Sequence, residues 1–264
     1  MRRSGVRFSS TPPSPLALVA QWIEHPPPKR VVRGSIPLQG VPHYSLRAAS
    51  LMPFDPVIIR PLGQAEYNLV YQAMHHFTDQ RTPETVDEIW IVEHPAVYTL
   101  GLAGKPEHLL NTGDIPIHRI DRGGQVTYHG IGQLVVYILM DIKRRGWGVR
   151  QLVTDLEQAI IDYLAALKIH AVRREHAPGV YADEKKIAAL GLRIRRGCSY
   201  HGLSLNVDMD LSPFSGINPC GYKDLQVNQL HDFGITLSVD QVGQEFLPYL
   251  LQQLRYQAIS TATS

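Results

Sequence analysis

Only two of the 264 residues are cysteine, Cys198 and Cys220. Two cysteines with no CxxC pair exclude a disulfide framework and argue against structural zinc. No apolar run approaches the roughly 20 residues that cross a bilayer. The longest candidate near the N-terminus, Leu16 to Ile23, is short and already holds Gln21. Acid is scarce in one place: residues 1–51 carry seven Lys/Arg and a single acid, Glu24. Of the chain's 26 basic and 24 acidic side chains, 19 and 23 then fall outside that stretch, a net charge of −4. The sequence pI near 8.5 therefore belongs largely to the leader, and the body has no overall nucleic-acid signature. A membrane protein and a nucleic-acid partner are both disfavoured.

Eight of the 19 prolines lie in residues 1–51, with no sustained helical or strand period, so this leader is expected to be disordered. Its Arg- and Ser-rich composition suits an organellar transit peptide. A sharper alternative is that the run from Val19 to Pro37 resembles a mistakenly translated tRNA gene, which puts the start at Met52 and leaves 213 residues. The expectation is a leader at 1–51 with a mis-assigned start, and one domain over 52–264.

In the body, strands and helices alternate. Pro56–Ile59 and Glu88–Glu93 read as strands, and Gln64–Phe77 as a helix with Tyr67, Val70, Tyr71, Met74 and Phe77 near helical spacing. Leu134 to Met140 is a continuous apolar run of strand length, as in a sheet buried on both faces. Val149–Leu167 places Leu152, Leu156, Ile160, Tyr163 and Leu164 on one helical face. Three strands follow at 179–182, 186–194 and 201–207, the last two as antiparallel neighbours. Ser238 and Gln241 form a capping-box signal for a final helix that Pro248 is expected to kink. The mixed order favours α+β, with one domain, over a doubly wound sheet.

Three segments suit a backbone turn or a ligand better than a core. Arg122 to Gln133 holds four glycines, which permit close backbone approach to a ligand. Its spacing fits neither GxGxxG nor a Walker loop, and its plainer reading is a glycine-rich hairpin with Arg122 solvated. The second segment joins Gly179-Val180-Tyr181 to Lys185-Lys186-Ile187-Ala188-Ala189-Leu190-Gly191, where paired lysines ordinarily mark a solvated edge. The third runs from His201 to Val207 and ends at Pro219-Cys220-Gly221. A cysteine between Pro and Gly sits in a turn, open to substrate, whereas Cys198 keeps the usual reading of a free cysteine as buried apolar filler.

A nucleophilic cysteine must be a thiolate, and a free thiol is mostly protonated at neutral pH. His129 or His201 can supply a Cys–His pair, and Lys186 can act instead through its charge. The residues alone leave both open. A metal site from His94, His129 and His201 lacks local ligand spacing.

Together the segments resemble the lipoyl(octanoyl) transferases, in which RGGxxTYHGxGQ, KIAxxG, HGxxLN and a terminal PCG recur in this order. These strings fall here on Arg122–Gln133, Lys186–Gly191, His201–Asn206 and Pro219–Gly221, and Ile131 stands where the family usually has Pro. The resemblance covers essentially all of 52–264 and none of 1–51. It implies the fold of biotin protein ligases and lipoate-protein ligases, a single α+β catalytic domain with a mixed sheet. It implies an acyltransferase that moves octanoyl from octanoyl-acyl carrier protein to a lysine of lipoyl domains. The implied acceptors are lipoyl domains of 2-oxoacid dehydrogenase complexes and the glycine cleavage H protein, in the cytoplasm, without cofactor or metal. The family's nucleophile falls on Cys220 and its catalytic lysine on Lys186. Its acyl-binding positions fall on Arg122, Gly123, Gly124 and Gln125, followed by Val126, Thr127, Tyr128 and His129. Further positions fall on Ala189, Leu190 and Gly191, and on Gly202, Leu203 and Ser204. Leu190, Leu203 and Tyr128 are expected to line an apolar slot. The basic groups Lys143-Arg144-Arg145, Arg173-Arg174 and Arg193/Arg195/Arg196 are expected to steer acidic protein partners.

Overall fold

The computed structural model describes residues 54–259, apart from 176, 222–224 and the side chain of Cys220. The leader and the alternative start at Met52 lie outside the described residues. In chain order come β1 (Asp55–Gln64), α1 (Tyr67–Gln80), β2 (Asp87–Glu93), β3 (Val97–Leu100), β4 (Ile117–Arg119), β5 (Val126–His129) and β6 (Gln133–Leu139). They are followed by α2 (Val149–Ala166), β7 (Ala171–Arg173), β8 (Val180–Ala182), β9 (Lys185–Arg195), β10 (Cys198–Asn206), α3 (Val239–Gln253) and β11 (Tyr256–Ile259).

The apolar run at 134–140 explains the layering. Successive side chains of a strand point to opposite faces, so an unbroken apolar run needs cover on both. Leu134, Val136 and Ile138 join a core with Leu152, Leu156 and Ile160 of α2 and Val242, Phe246 and Leu250 of α3. Val135, Tyr137 and Leu139 face the other way, onto Val70, Ala73 and Met74 of α1. Each such aliphatic side chain contributes roughly 1.5–3 kcal/mol by leaving water.

The large sheet has eight strands in the order β11-β1-β2-β6-β10-β9-β8-β7. β1 runs parallel to both β2 and β11, while β2/β6, β6/β10, β10/β9, β9/β8 and β8/β7 are antiparallel. A second sheet, β4-β3-β5, has one parallel and one antiparallel pair. The glycine-rich segment is therefore no hairpin: β5 pairs with β3, whereas β6 pairs with β2 and β10. The chain crosses from one sheet to the other at Gly130–Gly132.

Ser238 caps α3, with its hydroxyl accepting from the Gln241 N–H at 3.3 Å and the Gln241 side chain accepting from the Ser238 N–H at 2.9 Å. Pro248 does not end this helix, which runs on to Gln253. Among the described residues no helix is long and apolar enough to cross a membrane.

Candidate active site

β9 and β10 carry two of the motif segments side by side, in the register Ala189↔Ser204, Leu190↔Leu203, Gly191↔Gly202 and Leu192↔His201. The loop before β5 lies across them: the Gly123 N–H donates to the Leu192 carbonyl at 2.9 Å. Gly191 makes this approach possible, because a Cβ there would stand 2.9 Å from Arg122 Cδ and 3.2 Å from the Gly123 oxygen. Between loop and strands is a cleft of about 60 Å³. Arg122, Gly124, Gln125, Val126, Thr127 and His129 line it from the loop and β5, and Ala189, Leu190, Gly191, Gly202, Leu203 and Ser204 from β9 and β10. Tyr67, Val135, Tyr137 and His201 complete it. A larger open depression of about 550 Å³, lined by Trp147, Gln151, Asp155, Gln252 and neighbours, holds none of the motif residues.

Two expected positions fall outside the lining. Gly123 is spent on its bond to Leu192. The Tyr128 ring packs away from the slot, 5.4 Å from Tyr98 and 5.5 Å from Phe214 between ring centres. Arg122 is not solvated: it is 8% exposed, donating from Nη2 to the Thr99 carbonyl at 2.7 Å and from Nη1 to the Gly123 carbonyl at 2.9 Å. It is a strut between β3 and the glycine loop.

His94, His129 and His201 are buried. His94 bonds Ala65 O at 2.6 Å and Tyr137 OH at 2.7 Å, and burial lowers its pKa from 6.5 to about 4. Burial, assisted by His94 and Arg122, lowers His129 to about 3. With the Gln133 Oε1 acceptor at 2.7 Å, His129 carries its proton on Nδ1. His201 has a left-handed backbone, φ +59°, inside β10, an uncommon conformation for a residue with a side chain. Its Nε2 lies 3.1 Å from Asp121 Oδ1. Burial lowers the His201 pKa, against the pull of Asp121. Against the upward push of its own burial, hydrogen bonds from His201 and Tyr200 hold Asp121 well below the usual carboxylate range. Among the described residues no group of three or more His, Cys, Asp or Glu is placed to hold a metal ion.

Lys186 is 4% exposed, not a solvated edge. Its Nζ donates to the Pro178 carbonyl at 3.0 Å and stands 5.3 Å from the centre of the Tyr181 ring. Cys220 lies in a short 3-10 turn, Pro219–Gly221. The Gly221 N–H donates to Asn218 O at 3.0 Å, and the Asn218 N–H to His108 O at 2.9 Å. A Cβ at Gly221 would sit 3.3 Å from Gln125 Cγ, so the turn abuts a residue of the cleft. Beyond Cys220 the chain returns to the lysine: the Lys186 N–H donates to Gln226 O at 2.9 Å, and the Asn228 N–H to Lys186 O at 3.1 Å. Cys198, by contrast, is buried, and burial pushes its thiol pKa up.

The sequence marks none of Asp121, Tyr67 and Tyr137 as a site residue. Asp121 directly precedes the RGG string, but only its contact with His201, 80 positions later, reveals its place. The basic groups are largely engaged within the chain. Arg144 pairs with Asp87, Arg145 with Asp55, Arg173 with Glu157, Arg174 with Glu184 and Arg195 with Asp79. That pairing reduces their value for steering partners.

A mixed sheet with helices on both faces and a cleft between a glycine-rich loop and two sheet strands defines the class, an α+β catalytic domain of the lipoate-protein-ligase fold. Lipoate-protein ligase A bound with ATP superimposes with a TM-score of 0.60 at 16% identity, covering 79% of this chain and 90% of that one. A Thermoplasma acidophilum structure of a bi-partite lipoate protein ligase and its E2 lipoyl domain gives 0.58 at 18% identity, covering 79% and 88%. Residues 65–251 match the family model of the lipoyl protein ligase A/B catalytic domain. An octanoyltransferase of Dechloromonas aromatica is 61% identical over 75% of this chain and 97% of its own length. One from Azoarcus sp. is 58% identical over 75% and 88%. The chain belongs to the lipoyl protein ligase A/B catalytic-domain family, with the octanoyltransferases, and is an acyltransferase.

Proposed function

We propose that the chain moves an octanoyl group from octanoyl-acyl carrier protein to a lysine of a lipoyl domain, through a thioester on Cys220. The observation that carries this reading is the double attachment of the Cys220 turn. On one side it abuts Gln125 of the cleft, and on the other the chain beyond it is bonded to both backbone groups of Lys186. The names of the octanoyltransferase relatives supply the acyl group.

In the first step the Cys220 thiolate attacks the carrier thioester carbonyl, and the carrier sulfur leaves, taking a proton from the Lys186 ammonium. One thioester replaces another of similar energy. In the second step the acceptor lysine's neutral amine attacks the Cys220 thioester, its surplus proton passes to Lys186, and Cys220 leaves as the thiolate. An amide replaces a thioester, which is downhill without ATP. Before the first step the ammonium favours the thiolate by charge, and the proton it exchanges closes the cycle. The octanoyl chain enters the cleft lined by Gln125, Leu190 and Leu203, of which Gln125 and Leu190 are partly exposed. Each methylene buried there contributes about 0.8 kcal/mol. The acceptors are the lipoyl domains of 2-oxoacid dehydrogenase complexes and the glycine cleavage H protein, and the setting is the cytoplasm.

The test is octanoylation of a purified lipoyl domain by octanoyl-acyl carrier protein without ATP. Transfer by the wild-type chain, and its loss in both Cys220→Ala and Lys186→Ala, is expected. A requirement for ATP would show ligase chemistry instead, and full transfer by Cys220→Ala would exclude the Cys220 thioester.

A further inference from the structure

Lys186 is buried, and a loop outside its own strand holds its ammonium. The Pro178 carbonyl accepts from Nζ at 3.0 Å. The next residue, Gly179, has φ +138°, and a Cβ there would stand 3.0 Å from Lys186 Cε and 3.2 Å from Nζ. The loop backbone thus lies directly on the end of the lysine, and a shift of the loop is a shift of the position Nζ can occupy.

That loop is held from α2. The Gly179 N–H donates to Glu157 Oε1 at 2.9 Å, a buried bond 22 residues apart in sequence. Glu157 is itself 6% exposed, and its other oxygen pairs with Arg173 Nε at 3.1 Å. Arg173 is fixed in turn by the Thr154 carbonyl at 3.0 Å and Gln158 Oε1 at 2.8 Å. The Tyr181 hydroxyl donates to Ala177 O at 3.1 Å, closing the loop from the far side. A carboxylate inside a core is costly unless its oxygens are satisfied. Both oxygens of Glu157 are, and one of the two bonds goes to the loop that seats the lysine. Packing α2 against the sheet needs only an apolar residue there.

We propose that Glu157 is a positioning residue for the transfer reaction: through the Gly179 N–H it holds the Pro178 carbonyl where it aims the Lys186 ammonium at the reacting sulfur and amine. Glu157 touches neither substrate nor Cys220 in this role. The inference rests on the catalytic role proposed for Lys186, and the experiment separates the two.

Glu157→Asp keeps the charge and the means to pair with Arg173 but draws the acceptor back by one methylene, out of reach of Gly179. Glu157→Gln keeps an acceptor oxygen at full length and loses the charge. Both are compared in the full-length chain with Lys186→Ala, reading kcat and KM for octanoyl transfer to a lipoyl domain beside the thermal midpoint. For Glu157→Asp, kcat is expected to fall about 10-fold or more with KM for both substrates within about twofold, the pattern of a misplaced proton-transfer group. Glu157→Gln is expected to recover most of kcat even though it loses the ion pair. Wild-type kcat in Glu157→Asp, or a midpoint that falls in both variants with no loss of kcat, overturns the inference. If Lys186→Ala transfers as well as wild type, the catalytic reading of the lysine fails first. If Lys186→Ala is inactive and Glu157→Asp is unimpaired, only the role of Glu157 fails.

Discussion

Gln133 Nε2 donates to Asn206 Oδ1 at 2.9 Å, joining the last residue of the glycine-rich segment to the last residue of the HGxxLN segment. The line extends in both directions. His129 meets Gln133 Oε1, and Asn206 Nδ2 donates to the Asn228 carbonyl at 2.9 Å, beside the bond from the Asn228 N–H to Lys186 O. Three motif segments are thus one buried amide ladder that ends on the backbone of Lys186.

Because the ladder is buried, cutting it leaves unpaired groups rather than hydrated ones. Asn206→Leu strips partners from both Gln133 and the Asn228 carbonyl, and is expected to destabilise the fold by roughly 2–6 kcal/mol, at ~1–3 kcal/mol per stranded group. Urea unfolding of the Gln133→Leu and Asn206→Leu singles and the double variant measures the coupling. Strongly non-additive losses are expected; additive ones would mean the two amides do not act together.

Gly191→Ala places a methyl group against Arg122 Cδ and the Gly123 carbonyl. Arg122 cannot simply swing aside, because Thr99 and Gly123 hold its guanidinium. The glycine loop should lift from β9 and alter the cleft. Transfer is expected to lose about 10-fold or more in kcat/KM, since a misplacement of about 1 Å at a site can cost ~10²-fold. Steady-state kinetics on octanoyl-acyl carrier protein check this, and unchanged kinetics would remove the cleft from the reaction.

Stability should fall on acidification. In the unfolded chain His94 and His129 gain protons below their ordinary pKa of 6.5, whereas in the fold burial holds them near 4 and 3. The unfolded state therefore binds more protons in this window, and stability decreases as pH falls from 6.5 to about 4 for His94 and about 3 for His129. Well above pH 6.5 neither contributes a slope. Urea midpoints between pH 7 and 4.5 give the trend, and His129→Gln should flatten it; an unchanged slope in that variant would contradict the assignment.

Much of the fold was legible because its signals are local. The Ser238–Gln241 box, the apolar face of α2 and the double-faced run of β6 all stand in the sequence. β3, β4 and β5 were not, since strands of three or four residues exist only through pairing with distant partners. The edge strand β11 likewise depends on its parallel partner β1, just over 200 positions earlier. At the site, the strings around Arg122, Lys186, His201 and Cys220 could be quoted in advance, but not which residues face the cleft. Tyr128 turned to Tyr98 and Phe214, and Arg122 into a strut, because tertiary contacts decide side-chain direction. Glu157 lay unnoticed on a helix face read as apolar.

An octanoyl thioester on Cys220 is detected by the intact mass of the full chain after mixing with octanoyl-acyl carrier protein. The expected result is one added octanoyl group in place of one hydrogen, located on Cys220, removed by hydroxylamine, discharged by a lipoyl domain and absent in Cys220→Ala. An unmodified mass under conditions where the lipoyl domain becomes octanoylated would contradict the claim.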